Sequence, residues 1–206
     1  MTAKKRAKTP FRAKDLVFRA VTSDDWSQVE SLFGERGACG GCWCMHWRLP
    51  RGGKLWEEKK GEPNRRAFRK LVRDGAVQGL LAFHDGQPVG WCDVGPRSDY
   101  PRLVKARMLA DHPDEGLWSL PCFFIPTAQR GRGLATRLLS AVVEHVREQG
   151  APGLEGYPVR VKDGTVPGAF AWTGVTAMYR KAGFREVSSP EASRPIYQRR
   201  LRRSRS

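Results

Sequence analysis

Between Leu117 and Gly150 the sequence changes its apolar period once, and that change restricts the fold more than any other feature. Leu117 to Ile125 is rich in aromatic and β-forming residues and reads as a buried strand. From Leu134 onward, Leu138, Val142 and Val146 recur every four residues with Leu139 and Val143 beside them. That is one apolar face of an amphipathic helix, which Gly150 stops. The join is Arg130-Gly131-Arg132-Gly133-Leu134-Ala135. Glycine lets the backbone approach a ligand closely, and the first turn of a helix presents unpaired N–H groups at the positive end of its dipole. Such a turn suits a phosphate. It is not a Walker loop, because no Gly-Lys-Ser/Thr follows, and the third glycine of a dinucleotide fingerprint is missing.

The join resembles the pyrophosphate-binding motif of the GNAT superfamily of acetyl-CoA-dependent N-acetyltransferases, Gln/Arg-x-x-Gly-x-Gly/Ala. Further on, Tyr179-Arg180-Lys181-Ala182-Gly183-Phe184 is similar to the Tyr-x-x-x-Gly-Phe that closes the family's last core helix. The resemblance spans Leu16 to Leu201, and its specific part is Trp118 to Phe184. It implies an α/β fold, a mixed and strongly twisted central sheet with helices on both faces. It also implies transfer of an acetyl group from acetyl-CoA to an amine. By the same resemblance the pyrophosphate lies on the N–H groups of Arg130, Gly131, Arg132, Gly133, Leu134 and Ala135, with charge from the two arginines and a hydroxyl from Thr136. The pantetheine arm takes backbone groups of Phe123, Phe124 and Ile125, and Tyr179 assists the departing thiolate.

Acetyl transfer to an amine also requires that the amine lose a proton. Glu155, at the start of the next strand, and Asp93, on a hairpin's return strand, are the candidate bases; a water relay needs neither. Cys122 lies in the organising strand, where a buried thiol is ordinarily inert. The family often has an asparagine seven residues before the tyrosine. Here that position is Trp172, which points to a more apolar pocket.

The remaining segments fit around this centre. Leu16 to Val21 reads as a strand, and Thr22 to Asp25 supplies caps for a helix from Trp26 to Phe33. Pro63 to Arg73 reads as a second helix after a polar loop or short helix from Pro50 to Lys60. An Asp85-Gly86 turn between apolar runs predicts a hairpin, with Val89 to Val94 returning. Tyr100 to Pro113 has no assignable period. Leu154 to Val159, Phe184 to Val187 and Ile196 to Leu201 read as strands, and Val175 to Ala182 as a helix. Cys39, Cys42, Cys44 and His46 offer four soft ligands, but too closely spaced for a tetrahedral zinc site, which takes two separated pairs. No metal is expected. The segment reads as an aromatic-rich wall of the acceptor site, with Trp43, Met45 and Trp47 as candidate walls.

The net charge of +16 is concentrated at the ends. Six cations lie between Lys4 and Lys14 and five between Arg199 and Arg205; subtracting these eleven from +16 leaves the body at +5. The expected organisation is a basic, disordered arm over residues 1–14, a GNAT acetyltransferase domain over 15–198 and a basic tail over 199–206. Solubilising arms are one reading; arms that hold nucleic acid, with the domain idle or acting on an RNA-linked amine, are the other. No apolar run approaches the ~20 residues of a membrane span, and five cysteines in irregular positions suit a reducing cytoplasm. The acceptor, a small-molecule or peptide amine, is left open.

Overall fold

The chain is described by a computed structural model over residues 8–50, 54–161, 172–192 and 194–201. Asp85 and Gly86 take left-handed backbone, φ 49° and 73°, the two positive φ values that the tightest hairpin turn needs. They join β2 (Leu80–His84) to β3 (Gln87–Pro96), with Leu81 opposite Trp91. β1 (Leu16–Ala20) lies antiparallel outside β2, and β4 (Trp118–Phe124) lies antiparallel on the far side of β3. β5 (Gly153–Gly156) runs parallel to β4. β7 (Tyr197–Arg200) and β6 (Arg185–Glu186) complete a mixed sheet of order β1-β2-β3-β4-β5-β7-β6.

Alternation along the strands sorts side chains onto two faces. Leu80 and Ala82 share a core with α5 (Leu134–Glu148), whereas Leu81 and Phe83 share another with α1 (Trp26–Phe33) and α3 (Glu62–Arg73). Helices thus cover both faces. In α5 the expected stripe is fully realised: Leu134, Leu138, Leu139, Val142, Val143 and Val146 are all buried. Burying each such side chain contributes about 1.5–3 kcal/mol, so this helix is held by its packing and has no side-chain N-cap.

The sheet splits where the site lies. Asp93 pairs with Cys122 and Gly95 with Ser119, so β4 carries one extra residue across the stretch containing Pro121. Such a bulge bends a strand, and a proline has no N–H for the ladder. β4 pairs with β5 only from Trp118 to Leu120. Beyond the bulge it leaves β5, and the Phe123 N–H donates to the Trp172 carbonyl instead (2.7 Å).

Several expectations are corrected. β5 ends at Gly156, and Val159 makes only an isolated parallel bridge to Val175. The unassigned stretch holds a short helix, α4 (Pro101–Val104), followed by turns. Residues 8–14, expected as part of an arm, pack on the body. Phe11 is buried in the core with α5, and its N–H donates to the Arg132 carbonyl (3.1 Å). Lys8 Nζ donates to the carbonyls of Thr127 (3.1 Å) and Ala128 (2.7 Å). At the other end the boundary drawn at residue 198 falls inside β7. There Arg199 donates to the Ala182 carbonyl (2.6 Å) and Arg200 pairs with Glu115. These described cations bind inward, which gives the nucleic-acid reading no support; residues 1–7 and 202–206 lie outside the described residues. Among the described residues no helix is long and apolar enough to cross a membrane.

Candidate active site

The split between β4 and β5 opens into a cavity of about 570 Å³. One end is formed by Arg130, Gly131, Gly133, Leu134, Ala135 and Thr136, the middle by Cys122 and Phe123 to Ile125, and the other end by His46, Trp47, Trp56 and Trp172. The first end is built by backbone geometry. Gly133 precedes α5 in the left-handed region (φ 78°, ψ 5°), and no side chain caps the helix. The N–H groups of Leu134, Ala135 and Thr136 therefore start the helix without a capping side chain, at the positive end of its dipole. A Cβ added at Gly131 (φ 77°) or Gly133 would meet nothing within 4 Å. Space, donors and dipole together fit a pyrophosphate. Arg130 is anchored beside them through Nε to the Ile125 carbonyl (2.8 Å).

Arg132 is placed otherwise than expected. Its guanidinium lies over the Phe11 ring, 3.6 Å from its centroid. It donates through Nε to the Thr9 carbonyl (2.9 Å) and through Nη1 to Gln129 Oε1 (2.8 Å). It braces the turn and does not line the cavity.

The acceptor end depends on a tight coil between α1 and α2 (Lys54–Lys59). Ala38, Trp43 and Cys44 are left-handed there (φ 67°, 46° and 54°), conformations that non-glycine residues hold only when their surroundings impose them. The coil turns Cys39, Cys42, Cys44, His46 and Trp47 toward the cavity. Trp43 and Met45, expected as walls, are instead buried in the α1–α3 core, Trp43 stacked on Trp26. Burial, with Cys44 beside it, pushes the Cys42 thiol up to about 12, and burial raises Cys44 well above the usual thiol range. Both stay protonated at neutral pH and serve as apolar wall.

His46 stands among three indoles, edge to face with Trp47 (4.9 Å), Trp56 (5.0 Å) and Trp172 (5.7 Å). Arg102 Nη1 lies 3.2 Å from its Nδ1. A guanidinium can only donate, so Nδ1 accepts and the neutral ring carries its proton on Nε2. Burial, and then the charges of Arg102 and Arg194, lower the His46 pKa to about 4. His46 is therefore a neutral hydrogen-bond donor at physiological pH, with no lone pair free to act as a base.

Neither candidate carboxylate reaches the cavity wall. Glu155 is fully buried and saturated. Arg97 donates to it twice (2.8 and 2.6 Å), Ser119 Oγ once (2.7 Å), and the Tyr157 hydroxyl and Gln198 amide complete the set. Asp93 is held by Arg48 Nη2 and the Tyr100 hydroxyl, both at 3.0 Å, and burial raises its pKa. Tyr179 is fully buried one layer behind the wall, its hydroxyl donating to the Thr173 carbonyl (3.2 Å). A Cβ at Gly174, which lines the cavity, would lie 3.0 Å from the Tyr179 ring and 3.5 Å from Phe123. Sequence reasoning passed over Trp56 and Arg102, which sit in polar runs and acquire a role only through their neighbours in space.

The model of the acetyltransferase (GNAT) family matches residues 44–157, more than half of the chain and including the whole strand–turn–helix centre. The chain belongs to the GNAT family. Solved structures agree on the GNAT fold. A GNAT acetyltransferase of Listeria monocytogenes superposes with a TM-score of 0.56 at 13% identity, covering 90% of this chain and 95% of the other. YncA of Salmonella typhimurium, solved with acetyl-CoA, gives 0.53 at 11%, covering 93% and 97%. The PaiA N-acetyltransferase of Thermoplasma acidophilum, solved with coenzyme A, gives 0.50 at 15%, covering 90% and 99%. No curated protein matches the sequence. In GNAT terms, acetyl-CoA as co-substrate accords with the phosphate-shaped start of α5.

Proposed function

We propose that the protein transfers an acetyl group from acetyl-CoA to the nitrogen of an amine bound among His46, Trp47, Trp56 and Trp172. The observation that carries this reading is one cavity joining an uncapped, glycine-led helix start to an aromatic pocket through the β4–β5 split. The N–H groups of Gly131, Gly133, Leu134, Ala135 and Thr136 and the charge of Arg130 hold the pyrophosphate, while the Phe123–Ile125 backbone runs along the pantetheine arm. The amine nitrogen bonds to the thioester carbonyl carbon, the carbon–sulfur bond breaks with its electron pair going to sulfur, and the nitrogen gives up its proton. With Glu155 and Asp93 tied to arginines, that proton leaves through water. Tyr179 stays a phenol, because burial raises its pKa well above the ordinary value. In this reading it assists the departing thiolate, exchanging its Thr173 partner for sulfur as charge develops.

The reading is tested by calorimetry with coenzyme A and by thiol release from acetyl-CoA with a panel of amines, the product being identified by mass spectrometry. An N-acetylated acceptor is expected. Coenzyme A binding with acyl transfer to hydroxyl groups only would refute nitrogen as the acceptor atom.

A further inference from the structure

The cavity contains an unusual balance of charge. Among the described residues lining it there is no aspartate and no glutamate, although a protonated amine is the commonest form of an acceptor in water. A polyamine or amino sugar would bring several ammonium groups to a wall of indoles and protonated thiols beside Arg102, where no carboxylate among the described lining residues pairs with them.

Arg194 supplies the complementary observation. Its guanidinium lies over Trp172, 5.4 Å from the ring centroid, and its Nη1 is enclosed without a hydrogen-bond partner among the described residues. Three other arginines with enclosed guanidinium nitrogens hold carboxylates: Arg48 holds Asp93, Arg97 holds Glu155 and Arg160 holds Glu186. Arg194 is paired with no carboxylate among the described residues, and burial lowers its pKa. Its charge also contributes to the lowered pKa of His46 on the cavity wall. An enclosed guanidinium nitrogen left unpaired is costly, and a carboxylate is the group that the planar fork binds best.

The geometry points to an acceptor that is an aromatic amino-carboxylate, its ring among Trp47, Trp56 and Trp172, its carboxylate on Arg194 and its amine toward the thioester. This rests on the acetyl-transfer reading for the direction of the amine, though not for binding itself. The same arrangement helps the chemistry, because guanidinium groups near an ammonium favour its neutral form, and a neutral amine is the nucleophile.

The test uses the full chain, acetyl-CoA and four acceptors: phenylalanine, phenylalaninamide, phenethylamine and spermidine. The expected kcat/KM for phenylalanine exceeds that for its amide at least tenfold, with spermidine at background. Arg194→Gln should collapse the ratio between acid and amide, and Arg194→Lys, which restores charge without the fork, should recover part of it. Coenzyme A affinity reports that each variant is folded. Equal use of acid and amide, or preference for spermidine, would overturn the proposal. If no amine turns over, quenching of tryptophan fluorescence decides: binding of the acid but not the amide upholds it, and binding of neither overturns it. A protein that binds phenylalanine but not coenzyme A would instead defeat the acetyl-transfer reading and leave the carboxylate subsite standing.

Discussion

At Glu155 five hydrogen bonds from four side chains converge on one carboxylate, and that settles what a substitution there should do. Glu155→Gln removes the counter-charge of a buried Arg97, so a loss of about 3–5 kcal/mol in urea unfolding is expected, with kcat per folded molecule nearly unchanged. A folded variant whose kcat falls a thousandfold would restore Glu155 as the base. Tyr179→Phe makes the opposite case: the ring stays, only the donor goes, and kcat should fall about 10²-fold or more at unchanged acetyl-CoA affinity. Wild-type kcat, measured where chemistry limits the rate, would leave Tyr179 a packing residue. For His46 the sign follows from its lowered pKa of about 4. The fold favours the neutral ring, so its contribution to stability is present above the ordinary value near 6.5 and is lost as pH falls toward 4. Urea midpoints should therefore drop through that window, and less so in His46→Gln; identical pH profiles would show that the ring titrates normally.

Among elements, those set by local rules were legible from the residues alone. The α5 stripe, the Asp85-Gly86 hairpin and the helix from Trp26 to Phe33 depend on neighbours within a few positions, and each forms where its period, cap or turn residue places it. The split between β4 and β5 was not legible, because it arises from a register difference against β3 and from a bond between Phe123 and Trp172. The pairing of Arg97 with Glu155, 58 positions apart, was hidden for the same reason, and Glu155 therefore read as a base. The motif located the start of α5 but could not say that Arg132 faces away from the cavity. Gly133→Val tests this element. At φ 78° a side chain is strained, costing roughly 1–2 kcal/mol, and the branched group projects into the open space assigned to phosphate. Coenzyme A affinity should fall at least tenfold while circular dichroism keeps the helical signal. Unchanged affinity in a folded variant would remove the pyrophosphate from this turn.

Across the whole molecule, the phosphate-shaped turn is completed by residues more than a hundred positions away. Phe11 enters the core beneath α5, its N–H donates to the Arg132 carbonyl, and its own carbonyl accepts from Arg137 Nη2 (3.1 Å). Arg132 answers by covering the Phe11 ring and bonding to Thr9. Lys8 ties the carbonyls of Thr127 and Ala128 just before the turn. The segment from Lys8 to Lys14 thus straps the loop that must hold its N–H groups in place for a ligand, and preorganisation of that kind affects affinity without any contact to the ligand. Phe11→Ala should cost about 3–5 kcal/mol, as for other buried aromatic truncations. Deleting residues 1–14 should lower coenzyme A affinity at least tenfold, while a chain that begins at Lys8 keeps the full-length value. The comparison must be made by calorimetry below the melting point of the weaker protein, so that lost stability is not read as lost binding. If the chain from Asp15 is folded and binds coenzyme A as the full chain does, the turn supports itself and the strap serves stability alone.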